Sequence, residues 1–104
     1  MKDAYLIAYD ISDDKWRTKT ANKLIYYGFD RVQFSVFMGT VPKKNLLHFV
    51  HWFQKNVLTL VPQTKASLIV LPLSVGQLDV MQIWGDAGII DLDMLTGRKH
   101  TLII

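Results

Sequence analysis

Two stretches of this chain, residues 4–9 (AYLIAY) and residues 66–73 (ASLIVLPL), are apolar at almost every position. Side chains of a strand alternate between the faces of its sheet, so a strand apolar at both parities must be covered on both sides. The first stretch therefore reads as a central strand. Between the two stretches the period changes. Trp16, Thr20, Leu24 and Tyr27 recur on one helical face. Ser12, Asp13 or Asp14 can cap that helix, and the carboxylates favour its positive end. Gly28 is a plausible stop. Residues 31–34 and 36–41 read as two short extended pieces jointed at Ser35. Pro42 suits the first turn of a second helix. Leu46, Val50, Phe53 and Val57 make its buried stripe, Phe49 and Trp52 widen it, and Pro62 ends the helical region.

Strand, helix, two strands, helix, strand is the order of an α+β ferredoxin-like βαββαβ sandwich, an open antiparallel sheet with both helices on one face. Residues 1–75 hold that core. Residues 76–104 form an extra C-terminal strand region. Within it residues 79–84 could be a strand, and Thr96-Gly97 a turn into residues 100–104. An apolar strand at a chain end is an aggregation hazard unless it is paired. The expectation is that it adds to a sheet edge at the interface of a symmetric homodimer, with pairing inside one chain as the alternative.

Half of the 104 residues are hydrophobic, and the mean hydropathy is +0.17. A domain this small leaves much of its surface exposed, so the apolar surplus points to a subunit interface rather than only a dense core. Through Val75, ten Lys and Arg oppose five Asp, a balance of +5; from Gly76 on, two cations oppose four Asp, a balance of −2. The basic part is thus the body of the domain, which suits a polyanionic partner. With no cysteine there is no disulfide, thiolate metal site or thiol nucleophile. The longest apolar run, residues 68–73, is too short to cross a bilayer. The chain runs into a strand with no signal-peptide pattern. A soluble cytoplasmic protein with no membrane contact is expected.

The residue of greatest chemical interest is Asp10. It ends the first strand where a basic helix begins (Lys15, Arg17, Lys19). Magnesium takes one or two protein carboxylates beside substrate phosphate. If a two-fold axis brings two copies of Asp10 together, they form a water-rich metal site, and a metal there supplies Lewis acidity and an activated water for phosphodiester hydrolysis. The plainer reading is that Asp10 caps the turn. Asp13 and Asp14 resemble helix-start acids. Arg17 could point back toward Asp10, whereas Lys19, two positions on, diverges from it. Arg31 is a second candidate for gripping phosphate. Tyr9, Phe34 and Phe37 lie near these cations and are either stacking surfaces or core. His48 and His51 share an i, i+3 spacing with no third ligand nearby in sequence, which favours a solvated pair. No phosphate-binding loop, dinucleotide fingerprint or nucleophilic-serine motif occurs.

Residues 5–15 (YLIAYDISDDK) and 27–39 (YGFDRVQFSVFMG) together resemble the small second core protein of CRISPR-associated adaptation modules. The resemblance covers roughly residues 4–60. It implies a ferredoxin-like homodimer acting as a magnesium-dependent endonuclease, with manganese as the alternative ion, on single-stranded RNA or double-stranded DNA. By the same resemblance Asp10 matches the interfacial metal-binding aspartate, one from each subunit, with Tyr9 as its adjoining aromatic. Arg17, Lys19 and Arg31 match basic positions tied to nucleic-acid contact, and Phe37 matches an aromatic that shapes the dimer centre. The family also joins the CRISPR integrase in spacer acquisition, part of antiviral defence. A catalytically idle, DNA-binding scaffold that bridges integrase subunits is therefore the other functional class. A ferredoxin-like regulator of the small-molecule-sensing kind is a third, and would show no salt-dependent nucleic-acid binding. Many relatives carry charges in the strand after the second helix, where this chain reads ASLIVLPL, and the tail after Gly85 matches the family poorly.

Overall fold

A computed structural model describes residues 2–85 and 102–103. The elements run β1 (Lys2–Ile11), α1 (Asp14–Tyr26), β2 (Asp30–Gln33), β3 (Val36–Pro42), α2 (Lys43–Asn56), a 3-10 turn (Leu58–Leu60), β4 (Ala66–Leu73), α3 (Val75–Asp79), β5 (Ile83–Trp84) and β6 (Leu102–Ile103). The main sheet has the order β2-β3-β1-β4, with every neighbouring pair antiparallel. Each crossover helix thus links two strands that flank a third, consistent with the ferredoxin-like arrangement expected from the segment order. β1 is central, as its two-sided apolar pattern requires.

Both long helices cover one side of the sheet. From β1 that side receives Tyr5, Ile7, Tyr9 and Ile11, and from β3 Phe37 and Val41. Ala21 and Leu24 of α1 and Leu46, Phe49 and Phe53 of α2 close over them. Phe49 belongs to the centre of the α2 stripe, and Val50 lies at its flank. Asp13 begins α1 by accepting the Trp16 amide at 3.0 Å. At the other end the Phe29 amide reaches the Leu24 carbonyl and the Gly28 amide reaches that of Ile25. That is a Schellman stop, and Gly28 takes the left-handed φ of +99° it needs. Buried Leu24 and Phe29 supply its apolar contact. Pro42 falls one residue before α2, as its N-cap.

The opposite side of the sheet is closed only in part. Val32 and Met38 are covered there by Leu78 and Ile83, with Leu6, Leu73 and Met81 packed alongside. Of the strand expected over residues 79–84 only Ile83–Trp84 is extended, as β5, and Asp79 still belongs to the short helix before it. Ser74 accepts the Gln77 amide while the Gln77 side chain accepts that of Ser74, and this capping box starts α3 at Val75. β5 pairs in parallel with β6 of the same chain, where a second subunit's sheet edge was expected. The turn expected at Thr96-Gly97 lies outside the described residues. Among the described residues no helix is long and apolar enough to cross a membrane.

Candidate functional site

The two residues that end β1 separate across the sheet, because successive side chains face opposite ways. Tyr9 lies on the helix side, only 6% exposed. Its ring stacks on Phe37, centroids 6.1 Å apart and planes 26° from parallel. Asp10 stands on the open side with its side chain 65% exposed. The register puts Asp10 opposite Ser67, Ala8 opposite Ile69 and Leu6 opposite Leu71, so these side chains share the open face. Ile69 and Leu71 are 65% and 49% exposed there. Asp10 thus marks the end of an uncovered apolar strip.

Among the described residues Asp10 pairs with Lys65, whose Nζ lies 3.4 Å from Asp10 Oδ2. Lys65 is held in place by its backbone: its amide donates to Ser12 Oγ at 3.0 Å, and its carbonyl accepts the Ser12 amide at 2.9 Å. An exposed pair of this kind contributes at most about 1 kcal/mol, so Asp10 remains open to exchange for another cation. Sequence reasoning counted Lys65 only as a charge. The signal that finds it is the antiparallel register, which brings the residue just before β4 beside the end of β1.

Arg17 does point back to the strand end. Its Nη1 donates to the carbonyls of Ile11 at 3.0 Å and Ser12 at 3.4 Å, while Nη2 pairs with Asp14. The guanidinium thereby clamps the β1–α1 turn, and its fixed fork has five donors to divide between that clamp and a ligand. Arg31 approaches from β2, lying across Phe37 at 5.1 Å and Phe34 at 5.8 Å from the ring centroids. A cavity of about 350 Å³ opens between them, lined by Tyr9, Asp14, Arg17, Thr18, Arg31 and Phe34 among others. Arg17, Arg31, Tyr9 and Phe34 are thus brought together around one groove on the helix side, with buried Phe37 packed against Tyr9 and Arg31 rather than lining it. Two guanidinium groups with aromatic walls suit a phosphate with an attached base.

Lys19 is not part of that groove. It lies on the other flank of α1 with its ammonium 4.6 Å from the Trp16 ring centroid. His48 and His51 are both exposed on α2, and His48 sits beside the Tyr27 ring at 6.1 Å. Among the described residues no group of three or more metal-ligating side chains comes together. Asp10 has the hard oxygen chemistry magnesium prefers, and its exposure leaves room for the waters that ion keeps. One chain, however, offers a single carboxylate beside a competing ammonium.

The chain matches the family model described as CRISPR associated protein Cas2 over residues 3–81. A Synechocystis protein named CRISPR-associated endoribonuclease Cas2 3 is 40% identical over 82 residues, 79% of this chain and 84% of the relative. One from Aeropyrum pernix, named CRISPR-associated endoribonuclease Cas2, is 61% identical over 34 residues, 33% of this chain and 37% of the relative. The crystal structure of a hypothetical protein from Thermus thermophilus superimposes with a TM-score of 0.60 at 33% identity, covering 71% of this chain and 84% of that one.

Proposed function

This chain belongs to the CRISPR-associated Cas2 family, and from that premise we propose that it is an endonuclease of CRISPR adaptation that works as a symmetric homodimer. The Synechocystis relative, matched over 79% of this chain, is named an endoribonuclease, so single-stranded RNA is the first substrate to test and duplex DNA the second. The observation that carries the reading is the position of Asp10. It is exposed on the same sheet face as Ile69 and Leu71, so a second copy covering that apolar strip would bring a second Asp10 toward the first.

The two carboxylates would hold magnesium, or manganese in its place, which supplies Lewis acidity and an acidified water when bound. The protein's own groups then do the rest. Asp10 would exchange its ion pair with Lys65 for that cation, which would free the Lys65 ammonium for substrate phosphate. Arg17 holds the turn that fixes Asp10 and offers its remaining donors to the backbone of the strand. Arg31 offsets phosphate charge from β2, resting on the Phe34 and Phe37 rings, and Tyr9 supports Phe37 by stacking on it. Lys19 contacts nucleic acid from the far flank of α1. The same dimer would meet the CRISPR integrase in the cytoplasm during spacer acquisition.

The test is cleavage of matched RNA and DNA with magnesium titrated, comparing the natural protein with Asp10→Ala. RNA cleavage that falls by roughly a hundredfold or more in the variant is the expected result, the scale of losing one electrostatic group at a reacting centre. Cleavage that survives unaltered would reject Asp10 as the site. Spacer integration that persists in Asp10→Ala while cleavage is lost separates a structural role in the integrase complex from hydrolysis.

A further inference from the structure

A second groove, between α1 and α2, contains Lys19 and is otherwise built from side chains that the reaction at Asp10 does not use. Its walls are Trp16 and Trp52, whose rings tilt at 48° with centroids 6.3 Å apart. Tyr26 stands at the rim, 77% exposed. The Lys19 ammonium lies over Trp16, and that of Lys23 lies 5.7 Å from Trp52 and 5.6 Å from Tyr26. The cavity measures about 420 Å³, a size in which small ligands are held. No carboxylate lines it, and two asparagines, Asn22 and Asn56, supply amides. The Asn56 Nδ2 donates to the Trp52 carbonyl at 2.9 Å, which leaves its Oδ1 to accept.

We propose that this groove binds single-stranded nucleic acid, with an unpaired base on the Tyr26, Trp16 and Trp52 rings and the flanking phosphates on Lys19 and Lys23. The charge is of one sign and the lining is aromatic. That combination matches a base with its phosphate, because every base has a flat π-face and every linkage an anion. It does not match a duplex, whose bases are already stacked on one another. In the free protein each ammonium occupies a ring face through a cation–π contact. An incoming base takes the ring face and releases the ammonium to the phosphate beside it, so the two kinds of side chain act in turn. The site adjoins the groove of Arg17 and Arg31 across α1, with Asn22 lining both, so a strand bound here can continue toward those guanidinium groups. Asparagine amides along the same wall can read a base edge.

Tryptophan emission reports this directly. In a Trp84→Phe background only Trp16 and Trp52 emit, and without divalent metal no cleavage competes. A short single-stranded oligodeoxyadenylate should quench the emission saturably. Tyr26→Ala, at an exposed position that the fold does not need, should weaken binding about tenfold, within what one base–aromatic stack contributes. Lys19→Gln with Lys23→Gln should reduce the salt slope of log K by about 1.4, for two phosphate contacts to a single strand. Quenching that is absent, or unchanged in both variants, overturns the proposal. So does equal quenching by the same sequence as a duplex. Adenosine monophosphate binding as tightly as the oligonucleotide overturns the strand in favour of a free nucleotide. Because metal is absent throughout, failure here is distinguishable from failure of the Asp10 assignment, which is read by cleavage.

Discussion

The two sides of the β-sheet are finished to different degrees. On the helix side Ile7, Phe37, Phe49 and Phe53 are fully buried by the chain's own helices. On the open side Leu78 and Ile83 cover Val32 and Met38, but Ile69 and Leu71 remain exposed beside Asp10. The first side contains the interactions that make this domain fold. The second holds an apolar surface that the described residues leave open, at the place where the chemistry is proposed.

The sharpest way to break this contrast is to remove matched apolar groups from each side. Phe53→Ala should destabilise the domain by about 3–5 kcal/mol, the usual cost of deleting a buried phenyl ring. A domain of this kind has only about 5–15 kcal/mol in total, so a urea titration should show the variant unfolded or nearly so. Leu71→Ala should move the same midpoint little, by under about 1 kcal/mol in the monomer. Equal losses would mean that the open side supports the fold as much as the helix side does.

Charging the open side tests what it is for. Ile69→Lys combined with Leu71→Lys should weaken self-association roughly a hundredfold, as expected when central apolar contacts are replaced by charge, while thermal unfolding of the separated chain barely shifts. Sedimentation velocity reads the first effect and calorimetry the second. A protein that sediments as one chain before the change as well as after it would remove the proposed dimer, and with it the paired carboxylates.

On the helix side the packing leaves no room for even one methyl group at Gly39. A Cβ there would lie 2.8 Å from Phe29 Cδ1, with the Gly28 carbonyl oxygen at 3.1 Å and Phe29 Cα at 3.2 Å behind it. Gly39→Ala should therefore cost about 1–3 kcal/mol by overpacking, measured as a lowered urea midpoint. Gly76, in α3 on the open side, meets nothing closer than Ser74 Oγ at 3.8 Å. Gly76→Ala should gain up to about 1 kcal/mol from helix propensity, so the same change has opposite signs on the two sides.

Much of this architecture was readable from hydrophobic period alone. β4 spans Ala66–Leu73 as its composition requires, and Leu46, Phe53 and Val57 lie where helical spacing puts them. Of residues 79–84 only Ile83 and Trp84 are extended and Asp79 still belongs to α3, a boundary that a short apolar run does not mark. The signal that would have corrected it is local: Ser74 followed three residues later by Gln77 starts a helix. At the site, the opposite facing of Tyr9 and Asp10 follows from strand geometry. The contact between Asp10 and Lys65 does not, since 55 positions separate them and only the β1–β4 register joins them. The division of the basic residues between two grooves was half visible. Arg17 and Lys19 had to diverge, and i, i+3 spacing sets Tyr26 beside Lys23, but nothing in the sequence placed Trp52 there.

The smallest effect separates the sides by pH. Tyr5 faces the helices and is buried. Its hydroxyl is held above the usual phenol value, first by burial, then by the Asp3 carboxylate, to which it donates a hydrogen bond at 3.4 Å. Ionisation is thus harder in the folded chain than in the unfolded chain, where the phenol titrates near 10.0. The native state keeps the proton after the unfolded state has lost it, so the contribution is whole below pH 10.0 and fades as pH rises through the folded value. Tyr5→Phe keeps the ring and removes the proton. At neutral pH it should cost under about 1 kcal/mol, because the hydrogen bond is long. Urea midpoints followed from about pH 9 to pH 11 should then fall more steeply in the natural protein than in the variant. Parallel curves would show that the Tyr5 hydroxyl reaches water, and would place the end of β1 nearest Asp3 outside the sealed side of the sheet.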